Sequence, residues 1–136
     1  MMKSRYFLLI TGLLLVLSCS TSDDNINERD ELVVTVDELM GSFQNGAHPT
    51  SGTATVNPQR TSLTFSNFMT DDGPILEVYL CGSSGNCDSY ITLGVLKNIT
   101  GDQEYTLPAN VNFETHNYVH IWCVEFAVSF GHAKLE

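Results

Sequence analysis

Between Val119 and Phe130 the chain alternates with a period of two, and the phase of that alternation flips partway along. Val119, Ile121 and Cys123 fall on one face of an extended chain. Phe126, Val128 and Phe130 also share a face, but with the opposite parity. Successive side chains of a strand point to opposite sides, so one regular strand cannot bury both sets together. The stretch therefore predicts two strands, or one bulged strand, meeting near Cys123-Val124-Glu125. It also carries the chain's 1 Trp, Trp122, and is bracketed by His120 and His132.

The rest of the body has the same grain. Ser51 to Pro58 reads as a strand closed by a turn, and Arg60 to Phe68 as a strand with Leu63 and Phe65 inward. Thr70-Asp71-Asp72-Gly73-Pro74 is a turn, with Asp71 and Asp72 read as turn formers rather than metal ligands. Ile75 to Cys81 follows with Leu76, Val78 and Leu80 inward. Gly82 to Asn86 is a loop, Tyr90 to Leu96 another strand, and Glu104 to Pro108 a short edge segment, since proline lacks a ladder donor. Leu32 to Val36 reads as a lead-in or first strand. Short strands separated by Gly, Asp, Asn and Pro turns predict an all-β domain: a single antiparallel β-sandwich or small barrel of roughly 7–9 short strands. No helical periodicity of useful length is seen.

The first residues read as an address. Lys3 and Arg5 precede the apolar run Phe7 to Leu17, which is too short to span a bilayer well and fits the centre of a secretory signal. Val16-Leu17-Ser18-Cys19 then resembles a bacterial lipobox, with cleavage before Cys19 and acylation, palmitate included, of that residue. Several acyl chains anchor stably where one does not. The polar, acidic segment after Cys19 reads as a flexible tether. The expected division is 1–18 signal peptide, 19–39 tether with the short lead-in strand, and 40–136 β domain. The expected location is the cell envelope, exported and lipid-anchored, at the outer membrane with display on the surface.

Six Lys+Arg against sixteen Asp+Glu give a net charge of -10. That balance argues against nucleic acid, whose phosphates require clustered cations. The partners expected are the membrane, through the N-terminal lipid, and other proteins.

Cys81 and Cys87 flank a Gly/Ser-rich loop. In an oxidising compartment the expectation is a disulfide that pins a hairpin end and stabilises by ~2 kcal/mol. The alternative is a metal site combining both thiolates with Cys123 or a His, although the spacing does not match the usual zinc knuckle. Cys123 is then unpaired. It is either a small buried hydrophobe or a reactive thiol. His48 and His132 are the imidazoles considered as its neighbours; their plainer reading is hydrogen bonding at a turn or strand end. His120 falls on the other side of the strand from Cys123. No cofactor is evident. There is no Cys-x-x-Cys-His attachment motif, and haem or metal ligation is left open. No Ser-His-Asp order, phosphate-binding glycine loop or acid-base carboxylate pair stands out.

Several segments in order resemble one family: Gly41-Ser42-Phe43, His48 to Ala54, Leu63 to Phe68, Asp72-Gly73-Pro74, Val78-Tyr79-Leu80, Gly101 to Tyr105, Ile121-Trp122-Cys123 and Phe130 to Ala133. Together they are similar to the electron-transfer DM-thirteen domain of Skeletor- and Knickkopf-type proteins, here in a Bacteroidota-like lipoprotein. The resemblance implies a β-rich extracellular domain with a redox role. It also implies that the signature cysteine after the Trp, Cys123 in this chain, is the redox residue. The electron partner is then a separate, unidentified redox protein. A non-catalytic surface binding or adhesion module is the alternative, and exposed rings at Tyr79, Tyr105 or Tyr118 would favour it.

Overall fold

The computed structural model describes residues 37–136. The expected signal peptide, Cys19, the expected tether up to residue 36 and the Leu32–Val36 segment lie outside the described residues; Leu39, expected in the tether, opens the first strand. Eight strands run in chain order: β1 (Leu39–Asn45), β2 (Thr50–Val56), β3 (Ser62–Thr70), β4 (Leu76–Cys81), β5 (Ile91–Val95), β6 (Gln103–Thr106), β7 (Tyr118–Cys123) and β8 (Val128–Lys134). Their spatial order is β5-β4-β7-β8-β1-β2-β3-β6, with every pairing antiparallel.

β1 belongs to two sheets. Leu39 to Ser42 pair with β2, and Phe43 to Asn45 turn to pair with β8. A four-stranded sheet (β1, β2, β3, β6) and a five-stranded sheet (β5, β4, β7, β8, β1) thus share one strand. The order starts at β5 and ends at β6, so the strands form an open sandwich and not a closed barrel. The inward residues of both sheets meet in one core, including Val56, Leu63 and Phe65 on one side and Val78, Leu80, Val119 and Ile121 on the other. Phe65 lies 5.0 Å from Phe43, 5.1 Å from Phe68 and 5.2 Å from Tyr105 between ring centroids. Those separations are within the favourable range for aromatic pairs.

The phase flip resolves into a hairpin. β7 ends at Cys123, residues 124–127 make the turn with Ala127 at φ 49°, and β8 begins at Val128. A register shift between Ile121 and Trp122 absorbs the extra residue. The expectation for Phe126 is corrected: it lies in the turn and is exposed, so it does not share the inward face of Phe130. β6 is an edge strand, as its proline-terminated sequence predicts. Where β8 crosses β2, Gly131 has no room for a side chain. A Cβ there would come within 2.3 Å of the Thr50 Cβ. Thr50 is itself fixed by hydrogen bonds to Thr70 Oγ1 and the Phe130 carbonyl.

Candidate functional site

β7 sorts its side chains cleanly. Val119, Ile121 and Cys123 enter the core, while Tyr118, His120 and Trp122 stand on the outer face of the five-stranded sheet. The pairing brings Tyr79 of β4 opposite His120, and His120 opposite His132 of β8. Directly opposed side chains on one face of an antiparallel pair are close neighbours. The result is a continuous row of rings. Tyr90 stacks on Tyr79 at 4.1 Å, Tyr79 lies 6.0 Å from Trp122, Trp122 6.5 Å from His120, and His120 5.4 Å from His132. Tyr118 sits within 6.4 Å of both imidazoles.

The Cys81–Cys87 bond forms as expected, and its loop folds over one part of this row. Both cysteines are buried and pack with Tyr79 and Trp122 in a small second cluster, separate from the main core. The sulfurs and a ring nitrogen of His120 lie within 4.8 Å of one another. His120 is fully buried and both its nitrogens are engaged. Nε2 lies 2.7 Å from the Ser83 carbonyl, inside the disulfide loop, and Nδ1 lies 2.9 Å from Ser129 Oγ.

Burial holds the His120 imidazole below the ordinary histidine range; the Ser83 carbonyl opposes that shift and His132 adds to it. His132 is lowered as well, by burial. The Tyr79 phenol is pushed above the ordinary tyrosine range by burial first and then by its hydrogen bond with Tyr90. Burial thus disfavours the charged form of both imidazoles. A groove of about 640 Å³ opens at the far end of the row, where Ser84, Tyr118, His132 and Lys134 are among its walls.

Cys123 is on the other side of the sheet. It is 0% exposed and is a free cysteine, and its thiol donates to the Pro74 carbonyl at 3.4 Å. His132 is brought to His120 and not to Cys123. His48 hydrogen-bonds Asp71 through Nδ1 at 2.9 Å and stacks on Phe130 at 3.8 Å. Asp72 caps its own turn by accepting from Gly73 N at 2.9 Å. Tyr79 and Tyr105 are buried and Tyr118 partly buried, which removes most of the aromatic surface a binding module would use; Tyr90 is exposed.

From the sequence, His120 and Trp122 were not named as site residues, and Tyr79 was named only as a ring of the alternative binding surface. One signal was available: apart from Glu77, the segment Leu76 to Cys81 is apolar on both parities, which is the mark of a strand covered on both faces.

The family model described as Electron transfer DM13 matches residues 42–135. That span takes in all of β2 to β8, most of β1 and the disulfide loop. No curated protein and no solved structure matches the chain. The β-sandwich with its ring-and-sulfur face belongs to the electron transfer DM13 family.

Proposed function

We propose that this chain is an electron-transfer domain held at the cell envelope by lipid on Cys19, with sulfur as its redox element. Family membership supports the electron-transfer role. The observation that carries the sulfur reading is the contact of the Cys81–Cys87 bond with a row of polarisable rings that leads to an open groove. In the half-reaction the S–S bond takes up two electrons and two protons to give two thiols, and the reverse returns them. The counterpart is a separate envelope redox protein docking at the groove.

Cys123 is the second sulfur centre, on the inner face. Its position after Trp122 favours it through the family resemblance. Its burial works against it, because a reactive thiol must be reached by its partner. Two variants separate the centres. A redox titration monitored by alkylation and mass spectrometry should show a two-electron couple in the wild type and in Cys123→Ser, lost in C81A/C87A. A couple that survives C81A/C87A and disappears in Cys123→Ser would transfer the role to Cys123.

A further inference from the structure

His120 and Ser129 together make one more hydrogen-bond contact than a neutral ring and one hydroxyl have protons to fill. Ser83 O and Gly131 O can only accept. His120 Nε2 faces Ser83 O, His120 Nδ1 faces Ser129 Oγ, and Ser129 Oγ lies 3.0 Å from Gly131 O. Three contacts need three protons, while a neutral imidazole and one hydroxyl supply two. A third proton would make a buried imidazolium, which desolvation opposes. The Ser83 contact sets the Nε2 side of the ring against the disulfide loop. There, His120 and the two cysteine sulfurs already converge within 4.8 Å.

We infer that reduction of the Cys81–Cys87 bond creates a metal site, in which Cys81, Cys87 and His120 hold one soft monovalent ion such as Cu(I). Two thiolates and an imidazole suit a soft ion. With the metal on Nε2, the remaining ring proton sits on Nδ1 and donates to Ser129 Oγ, whose own proton goes to Gly131 O. That chain orients the ligand in the way metal-bound histidines are usually oriented. The elements are already in register: Cys81 ends β4, His120 is central in β7, and Tyr79↔His120 pairing places Cys81 diagonally across from His120 on the same face. Cys87 returns to this point through a loop of five residues.

The chemistry balances with a dithiol reductant. Its two sulfurs form a disulfide as the Cys81–Cys87 bond breaks, and its two protons pass to the released thiolates. Cu(I) then displaces two thiol protons to water. The site is absent in the oxidised chain, so metal occupancy is set by redox state. The inference rests on the sulfur-redox reading above only in requiring that this bond be reducible.

The test uses the full chain in detergent, in a Cys123→Ser background, both oxidised and after anaerobic reduction and removal of the reductant. Cu(I) is titrated against a chromophoric chelator. The expected result is one Cu(I) per chain gained on reduction, with X-ray absorption showing two sulfur ligands and one nitrogen. Ser129→Ala should weaken binding by roughly 10–100-fold while the disulfide still forms. His120→Gln should retain sulfur ligation and lose the nitrogen. If Cys81 and Cys87 reduce fully and no additional Cu(I) is bound, the metal site is refuted and the redox reading stands. If the bond resists reduction in the folded chain, both fail. Binding that is equal in C81A/C87A also refutes the site.

Discussion

Removing the Cys81–Cys87 crosslink should destabilise the domain without dissolving its fold. The bond closes a short loop, with a sequence separation of 6. In the chain-entropy description, a loop of that size constrains the unfolded state by roughly 2 kcal/mol. Reduction alone loses that part. The C81A/C87A variant also removes two buried sulfurs that pack on Tyr79 and Trp122, and loss of that packing adds roughly 1–2 kcal/mol. The total is roughly 3–4 kcal/mol, equivalent to a fall in Tm on the order of 15–25 °C for a domain of this length. The main core, with Leu63, Phe65 and Ile121, is a separate cluster and stays intact. Urea unfolding followed by circular dichroism, on oxidised, reduced and C81A/C87A protein, reads the three states in order of decreasing midpoint. The m-value should rise once the crosslink is gone, because the unfolded chain exposes more surface. Identical midpoints for oxidised and reduced protein would refute the entropic account. Complete loss of the native spectrum would refute the idea of a local staple.

Other consequences are equally direct. Tyr105→Phe strips the hydroxyl that donates to Gln103 Oε1 at 2.6 Å and accepts from Lys97 N at 2.9 Å, so it should cost about 1–3 kcal/mol by denaturant titration. Gly131→Ala drives a methyl into Thr50 and should cost about 1–3 kcal/mol or more by the same titration. His120 and His132 are both held below the usual histidine range in the fold. Below a pH of about 6.5 the unfolded chain takes up more protons at these residues than the folded one. Their contribution is therefore fully present above about 6.5 and is lost as pH falls below it; urea midpoints should decline there, and less steeply in His132→Gln. Cys123 should resist alkylation in the folded protein and react once it is unfolded, as its burial requires.

The fold was legible because strand parity is a local property. The opposite phases of Val119-Ile121-Cys123 and Val128-Phe130 announced the β7–β8 hairpin, and Leu63 with Phe65 announced the inward face of β3. Phe126 misled because a turn residue keeps no parity: its apolar character is spent at an exposed tip. The disulfide was legible from its spacing and from the oxidising compartment the sequence led one to expect. The ring row was not, since it depends on register. Tyr79, His120 and His132 lie 41 and 12 residues apart in sequence, and only the β4–β7 and β7–β8 pairings set them side by side. The same pairings separate His132 from Cys123, a neighbour relation that sequence distance left open.

The most direct test of a sulfur-based electron-transfer domain is equilibration of the full chain in graded dithiol/disulfide buffers, with each cysteine's redox state read by differential alkylation and mass spectrometry. A single two-electron transition at Cys81 and Cys87, at a potential above about −300 mV where structural disulfides do not respond, is the predicted result, with Cys123 unlabelled throughout. A bond that stays closed until the domain unfolds, or labelling that tracks Cys123 instead, would contradict it.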